Sequence, residues 1–216
     1  MNRGALEQLR RAVGSEHVVS EPHDLVIFER DASITGSLPD AIVFPANTAE
    51  VSLVMRIAQA QGIPVVPRGA GTGLSGGALT LRGGIALSLV RMHQILKIDA
   101  KARTAMVEPG VVNVDLSIEA ARYGLFYAPD PSSQKACTIG GNAAENSGGP
   151  HCLYYGVTTN HILGMEVVLA DGSVHWVGGD DPDRPGLDLL GVLVGSEGTM
   201  CVITRIQVKL LALPEA

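Results

Sequence analysis

Between Pro64 and Gly84 the chain reads PVVPRGAGTGLSGGALTLRGG, seven glycines in 21 residues. Glycine loses more conformational freedom on folding than any other residue. A run this dense is worth keeping only where the backbone takes up dihedrals closed to other residues or approaches something closely. Gly71 to Gly76 satisfies G-x-G-x-x-G, the fingerprint of a Rossmann dinucleotide loop. That loop needs a strand before it, a helix after it to present its N-terminus, and an acidic residue about 20 positions on. Ile63 to Pro67 supplies the strand. ALTLRGG is too short and too glycine-rich for the helix, and no acid occurs until Asp99. No Lys-Ser/Thr pair follows the glycines, so it is not a phosphate loop of the NTPase type. What remains is a nest: consecutive backbone N–H groups converging on an anion, with Thr72 and Ser75 adding hydroxyls.

Charge agrees with an anionic ligand there. The chain carries a net charge of −6, yet Val51 to Ile98 holds no Asp or Glu and has Arg56, Arg68, Arg82, Arg91 and Lys97. The overall acidity argues against nucleic acid and anionic membrane surfaces as partners. Cys137, Cys152 and Cys201 have neither the even count of a disulfide framework nor metal-site spacing, which points to a reducing, cytoplasmic setting. MNRGALEQLRRAVG has no apolar signal core, and no apolar run reaches the ~20 residues of a membrane span.

The periodicities predict an α+β chain. ALEQLRRAVG reads as a helix ended by Gly14, and DAIVFP as a strand stopped by Pro45. NTAEVSLVMRIAQAQG reads as a helix capped by Asn47 with Glu50 as its capping-box partner. Its stripe is Val51, Val54, Met55 and Ala58, and Gly62 ends it. After the glycine loop come short strands in GIALSLV, ILKIDA and TAMVEPG, then a helix in NVDLSIEAARYG with Asn113 as cap. APDPSSQKACTIGGNAAENSGGPHC is too polar for core and too long for an ordinary connection. HILGMEVVLA, the turn Asp171-Gly172 and SVHWVGG form a hairpin. In CVITRIQVKLLALP, Val202, Thr204, Ile206, Val208 and Leu210 alternate with Arg205, Gln207 and Lys209, as in a half-buried strand. Helices and strands mix early and antiparallel strands dominate late, unlike a regular βαβ series.

Three segments in order, PRGAGTGLSGGA, APDPSSQKACTIGGNAAENSGGPHCLYYG and VGSEGTMCVIT, resemble the signatures of the FAD-binding domain of the vanillyl-alcohol oxidase (PCMH-type) superfamily. The resemblance extends to ERDASITGSLPDAIVFPANTAEV and covers nearly the whole chain. It is strongest toward the family of the bacterial glycolate oxidase D subunit and the D-lactate and D-2-hydroxyglutarate dehydrogenases. The resemblance implies a PCMH-type fold of two α+β subdomains with FAD between them, their boundary falling near residues 128–150. It implies that Pro67, Arg68, Gly69, Ala70, Gly71, Thr72, Gly73 and Gly77 wrap the pyrophosphate through backbone amides. Pro129, Ser132, Thr138, Gly140, Gly141, Asn142, Gly148, Tyr155 and Gly156 would follow the ribityl chain and flavin ring. Gly198 and Val202 would meet the adenine, Val202 through its backbone atoms. It further implies hydride transfer from a small 2-hydroxy acid to FAD, with other subunits of an oxidase complex as partners.

Two positions depart from the family pattern. Relatives that bind flavin covalently have a histidine where this chain has Thr72, so the expected FAD is noncovalent. Cys201 stands where the family usually has glycine and is expected to crowd the adenine end. The sequence ends just past Pro214, where such a domain ends, so a cap domain supplying substrate pocket, base and any metal-binding histidines is expected to be absent. The notable alternative is therefore a flavin-binding module without turnover of its own. No catalytic residue and no metal ligand is assigned. His151, Cys137, Glu145 and Glu197 are read as scaffold residues beside the glycine loops, and Trp176 as packing.

Overall fold

Two large sheets and one two-stranded sheet divide the strands of the computed structural model, which describes residues 1–179 and 186–214. Helix α1 (Arg3–Val13) is capped by Asn2, whose Oδ1 accepts from Ala5 N at 2.8 Å, and ends at Gly14 with φ +94°. Strand β1 (Val18–Val19), the short helix α2 (Pro22–Leu25) and β2 (Ala41–Val43) follow. Helix α3 (Thr48–Gln61) then crosses to β3 (Val65–Arg68), which leads into the glycine loop, and β4 (Ile85–Ser88) returns between them. The first sheet has the order β1-β2-β4-β3, with β2 and β3 both parallel to β4. It contains a single βαβ crossover, as the mixed early pattern predicts, and no series of them.

Asn47 Oδ1 accepts from Glu50 N at 3.0 Å, as a cap should. The Glu50 carboxylate returns to Ala46 N and to Asn47 Nδ2, one residue further back than in the usual capping box. Val51, Val54 and Ala58 are buried, and Gly62 closes the helix in the left-handed region at φ +63°.

The second sheet begins with β5 (Ile95–Asp99) and β6 (Thr104–Val107). Helix α4 (Asn113–Ala121), strand β7 (Leu125–Phe126) and helices α5 (Ile139–Glu145) and α6 (Cys152–Tyr155) intervene. The hairpin β8 (Ile162–Val168) and β9 (Val174–Gly178), helix α7 (Leu189–Leu193), β10 (Val202–Lys209) and β11 (Leu211–Ala212) complete the chain. The order is β5-β6-β10-β8-β9, antiparallel throughout, while β11 pairs with β7. The C-terminal strand β10 is therefore central. Its alternation holds, with Val202, Thr204, Ile206 and Val208 buried and Arg205 and Lys209 exposed. Ile203 is buried as well, next to a register shift against β8 between Ile203 and Arg205.

One expectation is corrected. Asn113 does not cap α4: Val112 is the N-cap, and Asn113 is the first helical residue, buried, with Nδ2 donating to Pro129 O at 3.0 Å. The asparagine holds the polar stretch instead of its own helix. That stretch is tied down elsewhere too, by Asn113 N to Cys137 O, Val114 N to Gln134 O, Ile139 N to Val111 O and Gly140 N to Pro109 O.

One core lies between the second sheet, α4 and α5, around Leu116, Ile139, Met165, Ile206 and Leu210. The other packs α1 and α3 on the first sheet around Leu9, Val51, Val54, Ile85 and Leu87, and takes in Val168 and Val202 from the second. Helix α3 is also bonded to the second sheet, Thr48 Oγ1 to Glu166 Oε1 at 2.6 Å and Ser52 Oγ to Gly172 O at 2.5 Å. First-sheet strands end at Ser88 and second-sheet strands begin at Ile95, so the changeover precedes the polar stretch.

Candidate functional site: a cavity walled by three glycine-rich loops

The glycine loop leaves its backbone donors open. Among the described residues, none of the N–H groups from Gly69 to Ala78 donates to a protein acceptor. Ten consecutive unpaired donors would be costly if they were sealed from solvent and ligand. Here all of them but Gly76 belong to residues that line a cavity of about 570 Å³.

Arg68 braces the loop from the end of β3. It is 7% exposed, and its guanidinium donates to Arg30 O at 2.6 Å, Ala78 O at 3.4 Å and Phe28 O at 3.5 Å. It also lies 4.9 Å from the centroid of the Phe28 ring, itself edge-on to Phe44. Burial lowers its pKa and nearby Asp31 opposes that shift, but a guanidinium stays charged. Gly71, at φ +68°, lies directly on this group: a Cβ there would come within 2.4 Å of Arg68 Nη2. Glycine is thus required at Gly71 both by dihedral and by space.

The second loop meets the first at Gly69, whose Cβ would fall 2.4 Å from Thr138 Oγ1. Thr138 caps α5, its Oγ1 accepting from Gly141 N at 3.2 Å. Gly140 packs against Pro109, to whose carbonyl its N–H donates at 2.8 Å. Asn142 is buried, and its Nδ2 has no oxygen or nitrogen acceptor; the Cys137 thiol is its polar neighbour.

The third loop is stitched to the end of α5. Gly195 N donates to Ala143 O at 2.9 Å and Glu197 N to Ala144 O at 2.8 Å. These satisfy the helix's last carbonyls from another part of the chain. Glu197 has φ +54°, which costs a non-glycine residue roughly 1 kcal/mol or more.

The cavity wall contains all eight residues expected of the first loop, Pro67 to Gly73 and Gly77. It contains Ser132, Thr138, Gly140, Gly141, Asn142 and Gly148 of the second, and Gly198 of the third. Four expected residues are not brought to it. Pro129 is buried and accepts from Asn113 through its carbonyl. Tyr155 stands edge-on to Phe126, with ring centroids 5.6 Å apart. Gly156 is fitted against Asn160. The Val202 side chain packs into the core on the first sheet, while its neighbours Cys201 and Ile203 reach the cavity.

Sequence reasoning passed over Leu89, Pro109 and Ile203 as lining residues. Pro109-Gly110 carried a usable signal, a rigid residue beside a glycine whose Cβ would strike Leu89 O and Met92 O at 2.6 Å. Leu89 carried none. Nor is the site free of acids in space: Glu145 and Glu197 both line it, and Arg68 is the one Arg or Lys among the lining residues. Ser75 Oγ lies 2.9 and 2.8 Å from the two oxygens of Glu145, so that residue fixes a loop, as expected.

Both cavity cysteines are buried, which pushes the Cys137 thiol up and Cys201 up to about 11, so neither is a thiolate at neutral pH. His151 lies outside the lining, exposed, with Nδ1 2.5 Å from Asp130 Oδ2. Among the described residues, no three His, Cys, Asp or Glu side chains cluster as metal ligands do. No helix there is long and apolar enough to cross a membrane.

His161 supports the segment carrying Tyr155. It is 2% exposed, its Nε2–H donates to Tyr155 O at 2.9 Å, and its Nδ1 has no partner. Burial chiefly lowers its pKa, and Lys209 adds to this against the opposing Tyr155 bond. A base with a depressed folded pKa stabilises the fold above its unfolded value, ~6.5, and loses that contribution as pH falls. Melting temperature should therefore drop between about pH 7 and 5.5, and His161→Gln should flatten the drop. Equal slopes in wild type and variant would refute this role.

A family model described as FAD binding domain matches residues 39–178. Glycolate oxidase subunit GlcD of Escherichia coli is 44% identical over 210 residues, 97% of this chain and 42% of that protein. D-lactate dehydrogenase of Archaeoglobus fulgidus is 44% identical over 170 residues, 78% of this chain and 38% of that one. The chain thus spans less than half the length of these relatives. In fold, it matches p-cresol methylhydroxylase with a TM-score of 0.83 over 100% of the chain and 45% of that enzyme, at 24% identity.

Proposed function

The chain belongs to the FAD-binding domain family, and from that premise we propose that it serves a flavin dehydrogenase acting on a small 2-hydroxy acid, of the glycolate or D-lactate type. The observation that carries the reading is the run of unpaired amides from Gly69 to Ala78 beside the cavity. A pyrophosphate has enough oxygens to accept several of these donors without a cationic side chain. The donor chemistry therefore fits FAD, and about 570 Å³ lies within the usual range of ligand cavities.

The amides of Gly69 to Gly73 and of Gly77 would bind the pyrophosphate, with Arg68 keeping the loop in shape and adding positive potential. Thr138 and Asn142 would give short uncharged donors to the more polar edge of the flavin, Asn142 Nδ2 being buried without an oxygen acceptor. The glycines at 140, 141 and 148 let backbone approach a flat ring. Gly198 would meet the adenine, with Cys201 and Ile203 as the lining side chains near it. Bound FAD supplies a two-electron acceptor; this chain's residues orient it and exclude water.

A noncovalent cofactor is supported by Thr72 and by the protonated state of Cys137 and Cys201. The three free thiols suit a reducing, cytoplasmic setting. The relative's name, a subunit of glycolate oxidase, supports other subunits as partners. Among the described residues the cavity wall holds no histidine or lysine to act as base, which supports as second reading a flavin-holding module completed by a further domain or subunit.

One assay pair separates the two. Added FAD should raise the melting temperature by several degrees at concentrations about 100-fold above Kd. Turnover of glycolate or D-lactate with an artificial electron acceptor supports the dehydrogenase as it stands. Binding without turnover supports the module. No shift with FAD contradicts both.

A further inference from the structure

The carboxylate of Glu145, the last residue of α5, lies across the open amide loop. Ser75 Oγ donates to it, and a Cβ on Gly73 or Gly77 would come within 3.3 and 3.0 Å of its Oε1. No Lys, Arg or His among the described residues lies at ion-pair distance from Glu145. A half-buried negative charge without a cation thus lies beside Gly73 and Gly77, whose N–H groups have no protein acceptor. The other charged groups on this wall are differently engaged. Arg68 is turned toward three carbonyls, and the atom Glu197 brings nearest to a Cβ at Gly77 is its own Cβ, at 3.5 Å.

We propose that Glu145 is a placeholder for the cofactor's pyrophosphate. In the ligand-free protein its charge offsets the positive potential of the converging amides, and its bond to Ser75 holds the loop open. A pyrophosphate cannot share that position with a carboxylate, because the two repel where solvent screening is weak. Binding therefore displaces Glu145, and the residue lowers affinity while preserving the shape of the empty site. The inference rests on the FAD reading above and assigns a role within that site.

The test uses flavin-free protein, with Kd for FAD from flavin fluorescence and for ADP by competition. Glu145→Gln keeps the size and the bond to Ser75 and removes the charge. It should tighten FAD on the order of tenfold, and ADP by a similar factor, because both carry the pyrophosphate. Glu7→Gln, an exposed acid on α1 outside the cavity lining, should change either Kd by less than about twofold. Unchanged or weaker FAD binding in Glu145→Gln overturns the proposal. So does tightening of FAD without ADP, which would place the carboxylate at the flavin. Equal effects of the two variants would reduce it to a general field and overturn it also. A wild-type protein binding neither FAD nor ADP would sink the FAD reading itself, a different result from wild-type binding that Glu145→Gln leaves alone.

Discussion

Arg68→Met should lower stability by about 3 kcal/mol and weaken FAD binding at least tenfold. Methionine fills much of the same volume but donates nothing. The carbonyls of Arg30, Phe28 and Ala78 would lose their donor in a region that is 7% exposed at Arg68, and the contact with the Phe28 ring would go as well. Each buried carbonyl left unsatisfied costs roughly 1–3 kcal/mol, less where water enters. For a chain of this size that total lowers the melting temperature by roughly 10 °C. FAD binding should suffer separately, because the guanidinium lies within reach of a Cβ at Gly71 and fixes the loop there. Arg68→Lys should rescue only in part, since one ammonium cannot span three carbonyls in a plane. Thermal melts and FAD titration of both variants check this. Full FAD affinity in Arg68→Met would show that the loop holds its shape without the brace.

Gly140→Ala is the second large effect. The added Cβ would lie 2.6 Å from Pro109 Cβ and 2.9 Å from Pro109 O, a rigid residue with no flexible side chain to move aside. Overpacking of this kind costs about 1–3 kcal/mol. The damage falls on the site because α5 must shift. Its start carries Thr138 against Gly69, and its end is bonded to Gly195 and Glu197. One methyl group would thus loosen all three loops, and FAD affinity should fall about 100-fold while the fold persists. Gly62→Ala is the contrast: a Cβ there meets nothing within 4 Å, so only left-handed strain of roughly 1 kcal/mol remains, far from the cavity. Similar FAD affinities in the two variants would contradict the packing argument.

What the sequence revealed follows from which interactions are local. Caps and periodicities are local, so α1, α3 and β10 could be read from Gly14, Asn47, Gly62 and the alternation of Val202 to Lys209. The central position of β10 depends on partners in β6 and β8, far away in the chain, and no pattern within 202–209 encodes it. Asn113 was misread because the polar groups of asparagine serve a nearby helix end and a distant carbonyl equally well, and only tertiary structure decides for Pro129. The glycine loop was legible as a backbone donor because glycine density and missing acids are properties of one segment. The carboxylates that fold against it arrive from Glu145 and Glu197, more than 60 positions on. For the same reason Leu89 and Pro109 were passed over, while the long motifs carried most of the wall. Tyr155 shows the converse: membership of a motif does not by itself turn a side chain toward the cavity.

The proposed grip on the pyrophosphate is by backbone amides of Gly69 to Ala78 and not by side-chain charges. Amide nitrogen–proton correlation spectra of the flavin-free protein, titrated with ADP, test it residue by residue. The largest shifts should fall on the amides from Gly69 to Gly73 and on Gly77, together with rising protection of those amides from solvent exchange. Shifts confined to other residues, with the Gly69 to Ala78 amides unmoved at saturating ADP, would contradict it.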